Sequence, residues 1–165
     1  MDEATRRGLF RSLVLLSALL LLVACSGTPT ASRTLHSPEG AQELVSFSVL
    51  VPISKTLPTG LELEEVRWKH DREQNAEMVD LVYQGSGMEL GTEQYARREV
   101  RLGAPNEAHE RVAVRGTKGY LYSQPTGGAY SLAWEENGTI VSVSTSGMTL
   151  EQTLRIVESM SPVAK

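Results

Sequence analysis

Apolar and polar positions alternate along much of the chain, most clearly over residues 130–145. Tyr130, Leu132 and Trp134 precede Asn137-Gly138, and Val141, Val143 and Thr145 follow it. Alternation of this kind marks a half-buried strand. Asn-Gly is a favoured pair for a two-residue type I′ turn, in which both central residues need positive φ. The turn sets a register of Trp134 opposite Val141, Leu132 opposite Val143 and Tyr130 opposite Thr145. These side chains share one face, whereas Ser131, Ala133, Ser142 and Ser144 share the other and are all small or polar.

The same reading predicts further strands. Residues 47–51 form one, stopped by Pro52, which cannot donate to a ladder. Residues 61–69, 76–84 and 88–95 follow. Val79, Leu81 and Tyr83 share a face, and Gly85-Ser86-Gly87 closes that run. Val112 and Val114, then residues 120–123, bracket a turn at Gly116-Thr117-Lys118-Gly119. Residues 97–109 show no period and contain Gly103, Ala104 and Pro105, which predicts a loop. Ser37-Pro38 is a helix start, with a short helix reaching to about residue 45. The stronger helix is 149–160: Thr149 caps it, Gln152 completes a capping box, and Leu150, Leu154, Val157 and Met160 form a stripe. Pro162 ends it. The expectation is an α+β domain: an antiparallel β-sheet of about six to eight strands with the amphipathic C-terminal helix packed on one face.

Before this domain, Arg6, Arg7 and Arg11 lead into residues 13–24, which carry no charge. That run is shorter than the ~20 residues of a spanning helix and has the order of a secretory signal. Leu22-Val23-Ala24-Cys25 resembles the lipobox of bacterial lipoproteins. The resemblance implies cleavage before Cys25, diacylglycerol on its sulfur, and often a further acyl chain, such as palmitate, on its amine. Cys25 is the only cysteine, so no disulfide can form within the chain. Lipidation also removes a free thiol from an oxidising compartment. The expected organisation is a signal peptide over residues 1–24, a flexible tether over 25–37 carrying lipidated Cys25, and one domain over 38–165. At roughly 3.3 Å per residue such a tether would reach on the order of 40 Å.

Charge narrows the partners. Taking Arg6, Arg7 and Arg11 from 16 Lys+Arg, and Asp2 and Glu3 from 20 Asp+Glu, leaves a formal charge of −5 from Cys25 onward. Nucleic acid wants a basic surface, so it is not expected as a partner. Within the acidic chain, Arg97, Arg98, Arg101, Arg111, Arg115 and Lys118 form a basic stretch. They offer a patch for anionic headgroups or an acidic partner, although Glu99, Glu107 and Glu110 interleave with them as on a solvated surface.

Several segments together carry a second resemblance. They are Phe47-Ser48-Val49-Leu50-Val51-Pro52 with Leu57-Pro58-Thr59-Gly60, the pair Val82-Tyr83, and Gly116. Leu132-Ala133-Trp134-Glu135-Glu136-Asn137-Gly138 and Met148-Thr149-Leu150-Glu151-Gln152 complete the set. Over residues 47–160 the chain resembles a bacterial extracytoplasmic domain family of unknown function. Members occur in envelope lipoproteins, lipoprotein-sorting-like proteins and the outer tails of anti-sigma factors. The resemblance implies a sheet-plus-helix domain outside the cytoplasm and brings no catalytic residues.

The residues themselves offer little chemistry. His36, His70 and His109 lie far apart in polar segments, without the ligand spacing of a zinc site. Glu64-Glu65 and Glu135-Glu136 are strand neighbours that point to opposite faces. Gly85-Ser86-Gly87 fits neither the dinucleotide fingerprint nor a nucleophile elbow. No catalytic residue, metal or cofactor is expected. Tyr120, Tyr122, Tyr130 and Trp134 are the candidate ligand-binding residues: they line an apolar cleft for an acyl chain or peptide, or they are core beneath the helix, which hairpin parity favours. The expected function is that of a lipid-anchored extracytoplasmic protein of the cell envelope, on the cell membrane or outer membrane. It binds an envelope protein partner without enzymatic activity. The alternative is a carrier that shields an acyl chain or lipoprotein between sheet and helix.

Overall fold

A computed structural model of the chain describes residues 31–71, 76–96, 109–123 and 128–164. In chain order the elements are β1 (Ala31–Leu35), α1 (Pro38–Gln42), β2 (Leu50–Val51), a 3-10 turn (Ser54–Thr56), β3 (Glu62–Asp71), β4 (Ala76–Gly85) and β5 (Met88–Ala96). Then come β6 (His109–Val114), β7 (Thr117–Ser123), β8 (Ala129–Glu136), β9 (Thr139–Ser146), α2 (Leu150–Ser159) and β10 (Ser161–Pro162). Cys25, residues 1–30 as a whole, and Arg97, Arg98 and Arg101 lie outside the described residues. Among the described residues no helix is long and apolar enough to cross a membrane.

Eight strands form one antiparallel sheet in the order β1-β3-β4-β5-β9-β8-β7-β6. Two meanders thus meet along β5 and β9, far apart in sequence. One row of side chains crosses the sheet through Val66, Leu81, Thr92, Val143, Leu132 and Leu121. It lies on the inner face, which carries the core. The 130–145 hairpin has the expected register, with Trp134 on Val141, Leu132 on Val143 and Tyr130 on Thr145. Asn137 and Gly138 sit at φ of 50° and 76°, as a type I′ turn requires.

Helix α2 and residues 47–51 cover the inner face. Thr149 caps α2, and Gln152 closes the capping box. The buried stripe is rotated from the expected one. Thr153, Ile156, Val157 and Met160 are buried, whereas Leu150 and Leu154 are half-buried at its flank. A hydrogen bond of 2.9 Å between the Thr145 and Thr153 hydroxyls fixes that rotation.

Residues 47–51 are extended, but they do not join the large sheet. Instead β2 pairs with β10, and the Val163 N–H donates to the Val49 carbonyl at 2.8 Å. Two buried glutamines replace the missing neighbours. Gln94 accepts from Leu50 N–H at 2.7 Å and donates to its carbonyl at 2.8 Å. Gln42 accepts from Val49 N–H and donates to the Phe47 carbonyl, both at 2.8 Å. Each amide side chain mimics a strand edge, which satisfies backbone groups that are costly to bury unpaired.

Two expectations change. Ala31–Leu35, inside the stretch read as tether, pairs with β3 from His70 to Val66. Its residues are mostly polar because β1 is an edge strand, so the apolar pattern that marks inner strands is weak. The β6–β7 turn is also tighter than expected. It consists of Arg115-Gly116 at φ of 49° and 76°, with Val114 paired to Thr117. Gly119 lies within β7 opposite Trp134. A Cβ there would come within 2.8 Å of Val114 Cγ2 and 3.3 Å of Trp134 Cβ, so glycine makes room for the indole.

Candidate functional site

The outer face of the sheet bears a groove of about 330 Å³. Its floor comes from three adjacent strands, where Gly91 of β5 pairs with Ser144 of β9, which pairs with Ser131 of β8. One row further on, Glu89 pairs with Ser146, and Ser146 with Ala129. Tyr122 and Tyr130 stand at its side. The groove exists because the row Gly91, Ser144 and Ser131 carries no side chain larger than serine. A Cβ on Gly91 would meet nothing within 4 Å.

The three strands of the floor carry charge of one sign, although Arg111 and Lys118 stand on the same face further out on β6 and β7. β5, β8 and β9 contain no Lys or Arg, but they contain Glu89, Glu93, Glu135 and Glu136. Glu89 and Glu93 are exposed on the outer face. Burial, and then the Glu93 carboxylate, push the Tyr95 phenol above its ordinary value. Among the described residues the lining offers hydroxyls and a carboxylate and no histidine or lysine.

A second polar cluster lies inside, at the opposite end of β8. Arg115 holds Glu136 with both oxygens, at 2.6 Å from Nε and 3.0 Å from Nη2. Its Nη1 donates to the carbonyl of Met160 at 2.6 Å and to that of Glu158 at 3.1 Å. The indole N–H of Trp134 donates to Glu136 Oε2 at 3.2 Å. The cation therefore satisfies carbonyls that a helix C-terminus leaves unpaired. The Arg115 hydrogen bond holds the Glu136 carboxyl below its ordinary value, against the opposing effect of burial. This cluster ties turn, hairpin and helix together and is structural. Sequence reasoning counted Arg115 in a basic surface stretch, whereas its side chain is only 15% exposed.

The four candidate aromatics do not share one lining. Trp134 is fully buried in the core. Tyr120 pairs with Ala133 and Tyr122 with Ser131, which puts both tyrosines on the outer face. Tyr130 has the parity of Trp134, but it lies near the end of the hairpin, where it both packs on the core and lines the groove. Of the four, Tyr122 and Tyr130 come together at the groove. Its other half, Gly91 and Glu89, escaped sequence reasoning because only the β5–β9 pairing brings it there.

The histidines remain apart. His36 is exposed, and His70 stacks on Trp68 with ring centroids 6.2 Å apart. Among the described residues no group of three or more His, Cys, Asp or Glu could hold a metal ion.

A family model matches residues 52–160, well over half of the chain. The chain belongs to the family described as a domain of unknown function, DUF4367. The match takes in β3 to β9 and all of α2, so the groove and the Arg115 cluster are both features of this DUF4367 domain. No curated protein and no solved structure matches the chain.

Proposed function

We propose that this DUF4367 protein is anchored by acyl chains on Cys25 outside the cytoplasm, in the cell membrane or the outer membrane. There it works as a non-enzymatic module that docks another envelope protein in its outer-face groove. The observation that carries the choice of module over carrier is the state of the inner face. Leu132, Trp134, Val141 and Val143 on the sheet, and Ile156 and Val157 on α2, are all at 0% exposure. They belong to one cluster with Val49 and Leu50 above them. A carrier needs an apolar space between sheet and helix, and here the side chains fill that space for each other. The groove, by contrast, is open and has a floor on which a partner's backbone can lie.

The lipobox supports the anchor, and the fold shortens the tether. Only Ser26 to Thr30 separate Cys25 from β1, so at most about 20 Å of extended chain joins lipid to domain. That is roughly half of the reach expected from sequence.

The test has two readouts. Cys25→Ser should abolish alkyne-palmitate labelling and release the protein from membranes washed at alkaline pH. A photo-crosslinking side chain at Ser144, on the groove floor, should give one discrete protein adduct in intact cells. The same group at Ser32, on β1, should not. Labelling that survives Cys25→Ser would overturn the anchor, and identical adduct patterns from both positions would overturn the docking site.

A further inference from the structure

We propose that the groove receives a cationic side chain, lysine or arginine, carried by an extended segment of the partner protein. The inference rests on the docking role given to the groove above and names the chemistry that role selects. First, charge is complementary to such a segment. The three strands that form the floor hold no Lys or Arg, and Glu89 and Glu93 project from the same face of β5, two rows apart. Carboxylates on the strands of the floor attract a cation and help to fix the register in which it docks.

Second, the rim suits a long cation with an aliphatic stem. Tyr122 lines the groove from the outer face of β7, with Glu89 across the floor on β5. An aromatic face attracts an ammonium or guanidinium group, and the carboxylate receives its N–H donors. Third, the floor allows close approach. Gly91 offers no side chain, and Ser131 and Ser144 offer short hydroxyls beside it. Backbone of an extended segment can lie there with alternate side chains turned into the groove. A neutral apolar chain would leave those hydroxyls and Glu89 unpaired.

The experiment is a titration of the full chain, made soluble by Cys25→Ser, observed through backbone amide chemical shifts. The probe is the peptide Ac-Gly-Arg-Gly-Lys-Gly-Arg-amide. The control replaces each cation with glutamine. The expected result is saturable shifts confined to Gly91, Ser131, Ser144 and their neighbours, with the control at least about threefold weaker. Glu89→Gln should weaken the cationic peptide about threefold and leave the control unchanged. Gly91→Leu should abolish both responses while the remaining spectrum stays native, because its Cβ enters open space. Equal binding of the two peptides overturns the inference. So do shifts spread evenly over the acidic surface, or cationic-peptide binding unaffected by Gly91→Leu. If Ser144 still crosslinks a protein in cells, those outcomes overturn the cation and leave the docking role standing; loss of that crosslink overturns the docking role itself.

Discussion

Replacing Arg115 by methionine should destabilise the domain by about 2–4 kcal/mol at neutral pH. Methionine keeps the unbranched stem and removes the guanidinium. Both residues carry a Cβ at φ 49°, so backbone strain cancels in the comparison. What is lost is a two-point pair with Glu136 and the donors to Met160 and Glu158 carbonyls. Side-chain exposures of 15% and 18% mean that water replaces those bonds only in part. Hydrogen bonds to charged groups contribute about 1.5–3 kcal/mol each, but they share one cation here and do not add. The effect must also depend on pH. Arg115 lowers the folded-state pKa of Glu136 below its ordinary value of 4.5. A carboxylate with a depressed pKa stabilises the fold above its unfolded value, and that contribution is lost as pH falls through the folded one. Urea unfolding of wild type and Arg115→Met at about pH 7 and about pH 3 should therefore show the gap between them shrinking in acid. A loss below about 0.5 kcal/mol, as for an ordinary surface residue, would refute this reasoning, as would an equal gap at both pH values.

Other substitutions test the remaining joints of the fold. Gln94→Leu leaves the Leu50 N–H and carbonyl unpaired in the core, and should cost about 2–4 kcal/mol by urea unfolding. Ile156→Ala should cost about 2–5 kcal/mol and Leu154→Ala clearly less, since only Ile156 is fully buried. Thr149→Ala should cost about 1 kcal/mol through the lost cap. Gly138→Val puts a β-branched residue at φ 76° and should lower stability by more than about 1 kcal/mol, seen as a lower melting temperature.

What the sequence revealed depended on how local the cause was. The 130–145 hairpin was legible in full, because Asn137-Gly138 and the flanking alternation point to one register. The capping box of α2 was legible because Thr149 and Gln152 lie within one turn. The face of α2 was not, since Leu150 and Leu154 outweigh Thr153 on any hydropathy pattern, and only Thr145 across the gap reveals the buried hydroxyl. Gln94 and Gln42 read as polar interruptions until residues 47–51 come to lie over them. Arg115 looked like surface charge because its partners lie about 20 and 45 residues further along the chain. The groove was half legible: Ser131 and Ser144 already stood on the small-residue face of the hairpin. Gly91 and Glu89 join them only through pairing of β5 with β9 across some fifty residues.

A module rather than a carrier requires a closed inner face, which acyl-chain binding probes without further assumptions. The soluble Cys25→Ser chain should be titrated with a fluorescent fatty acid alongside an unrelated acidic protein. With Leu132, Trp134, Ile156 and Val157 filling the space between sheet and helix, the prediction is no saturable signal beyond that of the control. Saturable binding of about one chain per protein, abolished by Leu132→Trp with the circular dichroism spectrum unchanged, would contradict it and make the protein a carrier.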